Sequence, residues 1–91
     1  MYIIKKYSYD QAKKLNVIIQ PSNKKNKKID IFNKDGQYIT SIGNLFYDDY
    51  PTYLQIDKKL AEDRRRLYKI RHEKDRKIKY SKGWFSDKIL W

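Results

Sequence analysis

The sequence predicts an α+β fold: a small antiparallel sheet of about three strands with a central β-hairpin, one long basic C-terminal helix, and a short aromatic terminal helix or hook. Three observations predict it. Asp35-Gly36 stands between two apolar-rich segments, a favoured pair for a tight hairpin turn. Residues 57–82, DKKLAEDRRRLYKIRHEKDRKIKYSK, carry apolar side chains at helical spacing. Both tryptophans fall within the last eight residues, WFSDKILW.

The elements follow in order. Residues 8–15, SYDQAKKL, read as a short helix with Ser8 as N-cap, and Val17-Ile18-Ile19 as a strand ended by Pro21. SNKKNKK, residues 22–28, has no hydrophobic periodicity and reads as a mobile cationic loop. Residues 28–33 and 37–42 form the hairpin. A two-residue type I′ turn at Asp35-Gly36 pairs Phe32 with Ile39, Ile31 with Thr40 and Ile29 with Ile42. It places Ile29, Ile31, Tyr38 and Ile42 on one face, to receive the long helix. Residues 43–56, interrupted by Pro51, read as a crossover packed by Phe46, Tyr47, Tyr50 and Tyr53. Asp57 suits the N-cap of a helix of about 24 residues, roughly 36 Å long, with Gly83 as its C-terminal stop.

On that helix Ile56, Leu60, Leu67, Ile70 and Ile78 fall within about 80° of arc, so they are expected to face the core. Lys58, Arg65, Lys69, His72, Arg76 and Lys79 gather opposite and are expected to face solvent or a polyanion. The competing reading is a solvated face laced by the pairs Glu62–Arg66, Glu73–Lys77 and Asp75–Lys79. Lys24, Lys25, Lys27 and Lys28 supply a second cationic element, or edge protection beside a strand.

Composition sets bounds on function. Ninety-one residues suit one small domain, 1–91. Lys and Arg number 22 against 11 acidic residues, a net charge of +11, which points to an acidic partner. Hydrophobic residues at 40% of the chain argue against disorder. With no cysteine, disulfides and thiol catalysis are excluded. No stretch reads as a signal peptide or a membrane span, so a non-secreted protein is expected.

Catalytic motifs are absent from the pattern. His72 is the only histidine and has neither an elbow serine nor a spaced carboxylate set to work with. Asp48-Asp49 suit a loop or a helix cap better than a metal site, since neighbouring side chains diverge. The expectation is a protein without catalytic residues, cofactor or metal. Tyr38 is the hairpin position eligible for stacking on a base, with Phe32 and Ile39 on the other face, and core packing is the competing role for such rings. Trp84, Phe85, Leu90 and Trp91 either close the protein's own core or dock into a partner.

Several runs together resemble a known group: Tyr47-Asp48-Asp49-Tyr50-Pro51-Thr52, Arg64-Arg65-Arg66-Leu67-Tyr68, Arg71-His72, Gly83-Trp84-Phe85-Ser86-Asp87 and Ile89-Leu90-Trp91. They are similar to small basic proteins of large double-stranded DNA viruses of protists and algae, mimivirus- and phycodnavirus-like. The resemblance covers roughly residues 28–91, although similar sequences often carry a longer basic linker than residues 74–82 here. It implies a viral origin and a genome- or virion-associated role inside the virion or the infected cell, and carries no catalytic assignment.

The expected function is therefore non-enzymatic, largely sequence-independent nucleic-acid binding through phosphate contacts. The alternative is a minor structural virion protein that meets acidic surfaces of other virion proteins through its basic faces and aromatic C-terminus. Oligomeric state stays open.

Overall fold

A computed structural model describes residues Met1–Trp91 and shows an α+β architecture. Helix α1 (Lys6–Leu15) leads into strands β1 (Ile18–Pro21), β2 (Ile29–Phe32) and β3 (Tyr38–Ile42). Helices α2 (Tyr50–Leu54) and α3 (Lys58–Arg71), a 3₁₀ turn (Asp75–Lys77) and α4 (Lys82–Leu90) follow. The strands form an antiparallel sheet in the order β1-β2-β3.

Within the hairpin, Ile31 pairs with Thr40 and Ile29 with Ile42, as the sequence predicts. The turn is different. Gly36 has φ +85°, but Asp35 does not share the positive φ that a type I′ turn requires. Instead the Gly36 N–H donates to the Asn33 carbonyl and the Asn33 N–H to that of Gln37, which closes a three-residue loop. Asn33 Oδ1 also accepts from the N–H groups of Asp35 and Gln37. A register shift beyond Ile31 then pairs Phe32 with Tyr38 rather than with Ile39. The longer loop and the shift cancel, so the inner register survives while Tyr38 changes face. Tyr38 lies edge-on to Phe32, and its hydroxyl is 2.7 Å from Ser41 Oγ, away from the Ile29, Ile31 and Ile42 face.

That apolar face is covered by α1 and α4, not by the long helix expected there. The core comprises Ile4, Ala12, Ile19, Ile29, Ile31, Ile42, Phe85, Ile89 and Leu90, with Tyr2, Leu15, Val17, Trp84 and Trp91 packed at its margin. Ser8 is inside α1 rather than its N-cap, and its hydroxyl donates to the Ile89 carbonyl at 2.8 Å, joining α1 to α4. Phe85 and Leu90 are thus buried in the protein's own core, the first of the two roles expected of the aromatic tail.

The expected helix of about 24 residues stops at Arg71, with His72 as C-cap. Tyr80, at φ +68°, helps to reverse the chain, and Ser81 Oγ caps α4 by accepting from the Trp84 N–H. Gly83 sits inside the first turn of α4, so it is not a stop signal. A continuous helix would carry the tail away from the sheet. Burying Phe85, Ile89 and Leu90 is worth roughly 1.5–3 kcal/mol each, well above the few tenths per residue that helix propensity offers. Tail burial therefore wins.

The crossover is also only partly packed. Tyr50 is buried and Tyr53 half-buried, whereas Phe46 and Tyr47 are exposed, because the chain at residues 44–48 turns at the surface. Asp49 caps α2 by accepting from the Thr52 N–H, with Pro51 in the first turn, and Asp57 caps α3 as expected.

Candidate anion-binding cleft

Helix α3 presents its faces in the opposite sense to the hydropathy pattern. Ala61 and Tyr68 are its buried residues, and Arg65, Lys69 and His72 lie beside them, half-buried. Most of the apolar stripe points outward: Ile56 is 68%, Leu67 47% and Ile70 63% exposed, Ile78 beyond the helix is exposed too, and only Leu60 is half-buried. The cause is a set of partners distant in sequence. The Arg65 guanidinium lies 4.2 Å from the centre of the Tyr50 ring. Lys69 Nζ is 2.6 Å from the buried Asp87 carboxylate, and the Tyr68 hydroxyl donates to Ser86 Oγ. Stems of Lys and Arg cover apolar surface while their heads find these groups.

Several residues expected to meet a polyanion are therefore engaged internally. Lys28 is buried with Asp49, Nζ to carboxylate 2.7 Å, and is not part of an open lysine loop. Lys24 pairs with Asp30 at 3.3 Å. Arg76 pairs with Glu73 and also donates to the Lys69 carbonyl, which helps terminate α3. Lys77 pairs with Glu73 as expected, whereas Glu62 accepts from the Tyr50 hydroxyl instead of pairing with Arg66, and Asp75 faces His72 instead of Lys79. Lys25, Lys27, Lys58 and Lys79 have no carboxylate partner. The loop at residues 22–28 is a closed hairpin connection, with Ser22 N–H donating to the Lys28 carbonyl and Lys27 N–H to that of Lys24.

A cleft of about 620 Å³ opens where α3, the loop after β3 and the C-terminus meet. Arg64, Arg71 and His72 line it from α3, Tyr53 from α2, and Asn44, Tyr47 and Asp48 from the loop. Rings stack along its wall: His72 on Tyr68 at 4.3 Å, and Tyr68 on Trp91 at 4.3 Å with planes only 7° apart. Arg64 sits 5.7 Å from the Tyr53 ring centre. Its floor includes Gly43, where φ is +82° and a Cβ would stand 2.8 Å from the Lys28 side chain and 2.9 Å from that of Leu90. A second opening of about 430 Å³ shares Gly43, Tyr68, His72 and Ser86 with the first and continues to Ser81 and Lys82.

No family model, curated protein or solved structure matches this chain. The site must be read from its own chemistry.

Arg64 and Arg71 have no carboxylate within ion-pair range, and they stand two helical turns apart, about 10 Å along the axis. Where the second opening ends, Lys82 stands beside Lys27 and pulls its ammonium below the ordinary lysine range, with burial adding to the effect. Neither lysine has a carboxylate within ion-pair range, although Asp75 lines the same opening as Lys82. Burial pushes the Tyr68 hydroxyl up, so that ring stays neutral. At the cleft's edge, burial pushes Asp49 up, but hydrogen bonds from Lys28, Thr52 and Tyr2 outweigh it and hold its carboxyl below the usual range. No three His, Asp or Glu side chains converge to hold a metal ion, and no helix is long and apolar enough to cross a membrane.

Of the expected binding residues, Lys28, His72, Leu90 and Trp91 reach the cleft, Lys28 and Leu90 as buried side chains in its floor, while Trp84 packs at the core margin. Arg64, Tyr68, Arg71 and the loop residues are additions. A signal existed: Arg64, Tyr68, Arg71 and His72 recur at i, i+4, i+7 and i+8, one face of a helix.

Proposed function

We propose that this protein binds nucleic acid without catalysis and largely without reading sequence, through phosphate contacts made by cations that the fold leaves unpaired. The supporting observation is the charge inventory. Six of the 22 basic side chains, Lys6, Lys24, Lys28, Lys69, Arg76 and Lys77, lie within ion-pair range of a carboxylate, which leaves 16 without one. Arg64 and Arg71 line one opening and Lys82, with Lys27 next to it, lies at the other, which gives the anion two anchoring points. Arginine suits bidentate phosphate contact, and lysine acts as a point charge. The sequence resemblance adds the setting: a viral protein associated with the genome inside a virion or an infected cell.

Affinity for duplex or single-stranded DNA is expected to fall steeply with salt, with a log–log slope near −5 for about six phosphate contacts on a duplex. Replacing both Lys27 and Lys82 by Ala should make that slope shallower by about one to two, without a change in fold. A salt-independent affinity would overturn the reading.

The second reading, a minor structural virion protein, is favoured by one observation, the outward apolar stripe of α3. Docking then uses Ile70 and the neighbouring Leu67 at the cleft's edge rather than the tail, and the charge-neutral Ile70→Gln should abolish incorporation into particles while leaving DNA affinity intact.

A further inference from the structure

The residues of the cleft divide by chemistry. Helix α3 supplies two unpaired guanidinium groups, Arg64 and Arg71. The loop after β3 supplies Tyr47, which is 71% exposed with no aromatic or cationic partner, together with the Asn44 amide and the Asp48 carboxylate. Asp48 has no cation within ion-pair range. A compact anion such as sulfate, or a duplex backbone pressed into the opening, would meet Asp48 as well as the arginines. A nucleotide meets both: its phosphate is anionic, while its base is planar and carries N–H donors on its edge. About 620 Å³ lies within the roughly 300–1,000 Å³ typical of small-ligand sites.

We propose that this cleft takes one unpaired nucleotide of a nucleic-acid strand, its phosphate at Arg64 and Arg71, its base on Tyr47 and its edge toward Asp48 and Asn44. The inference rests on the nucleic-acid reading above and narrows it. In a duplex both faces of a base are covered by its neighbours, so only single strands, loops and ends can offer one to Tyr47. The remaining cations still hold duplex backbone, which keeps the two binding modes separable.

Trp91 lines the cleft, whereas Trp84 does not. In the full chain carrying Trp84→Phe, Trp91 is the only tryptophan and reports on the cleft. Titration with an oligo-dA strand should change its emission saturably. A short duplex, followed by mobility shift at low salt, should bind without that change. Tyr47→Ala, at an exposed position, should weaken oligo-dA by about tenfold, the loss expected for one stacked base, and leave duplex affinity within twofold. If the duplex binds but oligo-dA leaves Trp91 unchanged, or Tyr47→Ala weakens both ligands alike, the cleft assignment falls while the nucleic-acid reading stands. AMP binding as tightly as the strand would overturn the strand as the source of the nucleotide. Failure of both strand and duplex to bind at low salt overturns both readings.

Discussion

Asp49 concentrates more of the tertiary structure than any other single side chain. It accepts from the Tyr2 hydroxyl at 2.6 Å, Lys28 Nζ at 2.7 Å, the Thr52 N–H at 3.0 Å and the Thr52 hydroxyl at 2.6 Å, so it joins the N-terminal segment, the start of β2 and α2. Asp49→Asn removes the charge opposite a buried ammonium, and breaking such a pair costs about 3–5 kcal/mol. The same hydrogen bonds set the acid response. Asp49 and Asp30 both titrate below their unfolded value, in each case because hydrogen bonds outweigh the upward push of burial; for Asp30 the donors are Ser41, Ser22 and Lys24. A depressed carboxyl contributes stability that is complete above the unfolded pKa and is lost as pH falls through the folded one. The urea midpoint should therefore hold from neutral pH to about 5 and drop below about 4. Asp49→Asn should start lower and lose less on acidification. An acid limb as steep as that of the parent protein would show that Asp49 is not the group responsible.

At the scale of elements, α3 separates what hydropathy can see from what it cannot. The caps Asp49 and Asp57 and the Ile29, Ile31 and Ile42 face were legible because each depends on residues nearby in the chain or on strand alternation. The inward face of α3 was not. Its anchors, Tyr50, Ser86, Asp87 and Trp91, come from α2 and the C-terminal segment, and a helix wheel counts Arg65 and Lys69 as outward whatever stands opposite them. The end of α3 was hidden for the same reason, since no Gly or Pro marks residues 71–74 and the break serves the burial of α4. The two orientations differ in measurable consequence. Ala61 is fully buried, so Ala61→Leu should cost about 1–3 kcal/mol by overpacking. Leu67→Gln, on the outward stripe, should stay within about 0.5 kcal/mol of the parent in urea unfolding. The reverse ranking would restore the hydropathic orientation.

The whole molecule carries its charge unevenly, and this governs its stability as well as its partner. The buried Lys28–Asp49 pair, and to a lesser degree the partly buried Lys69–Asp87 pair, are shielded from ions in solution, so salt weakens them little. The 16 cations without a carboxylate partner belong to a chain of net charge +11 and a Cα radius of gyration of only 12.5 Å, so much of their mutual repulsion falls within or near the screening length of about 10 Å at 0.1 M salt. Unfolding spreads these charges apart and relieves the repulsion. Added salt should thus stabilise this protein rather than loosen it. Each kcal/mol gained raises the melting temperature of a 60–100-residue domain by about 4–8 °C, so a rise of several degrees between 0.02 and 0.3 M sodium chloride, roughly, is the expected result. Exposed ion pairs contribute too little to reverse the sign. A polyanion that occupies the same cations should stabilise at far lower concentration than simple salt, because it neutralises them by binding rather than by screening. Thermal melts across both titrations decide the matter: a melting temperature that falls with salt would mean that surface ion pairs, not unpaired cations, dominate the electrostatics of the fold.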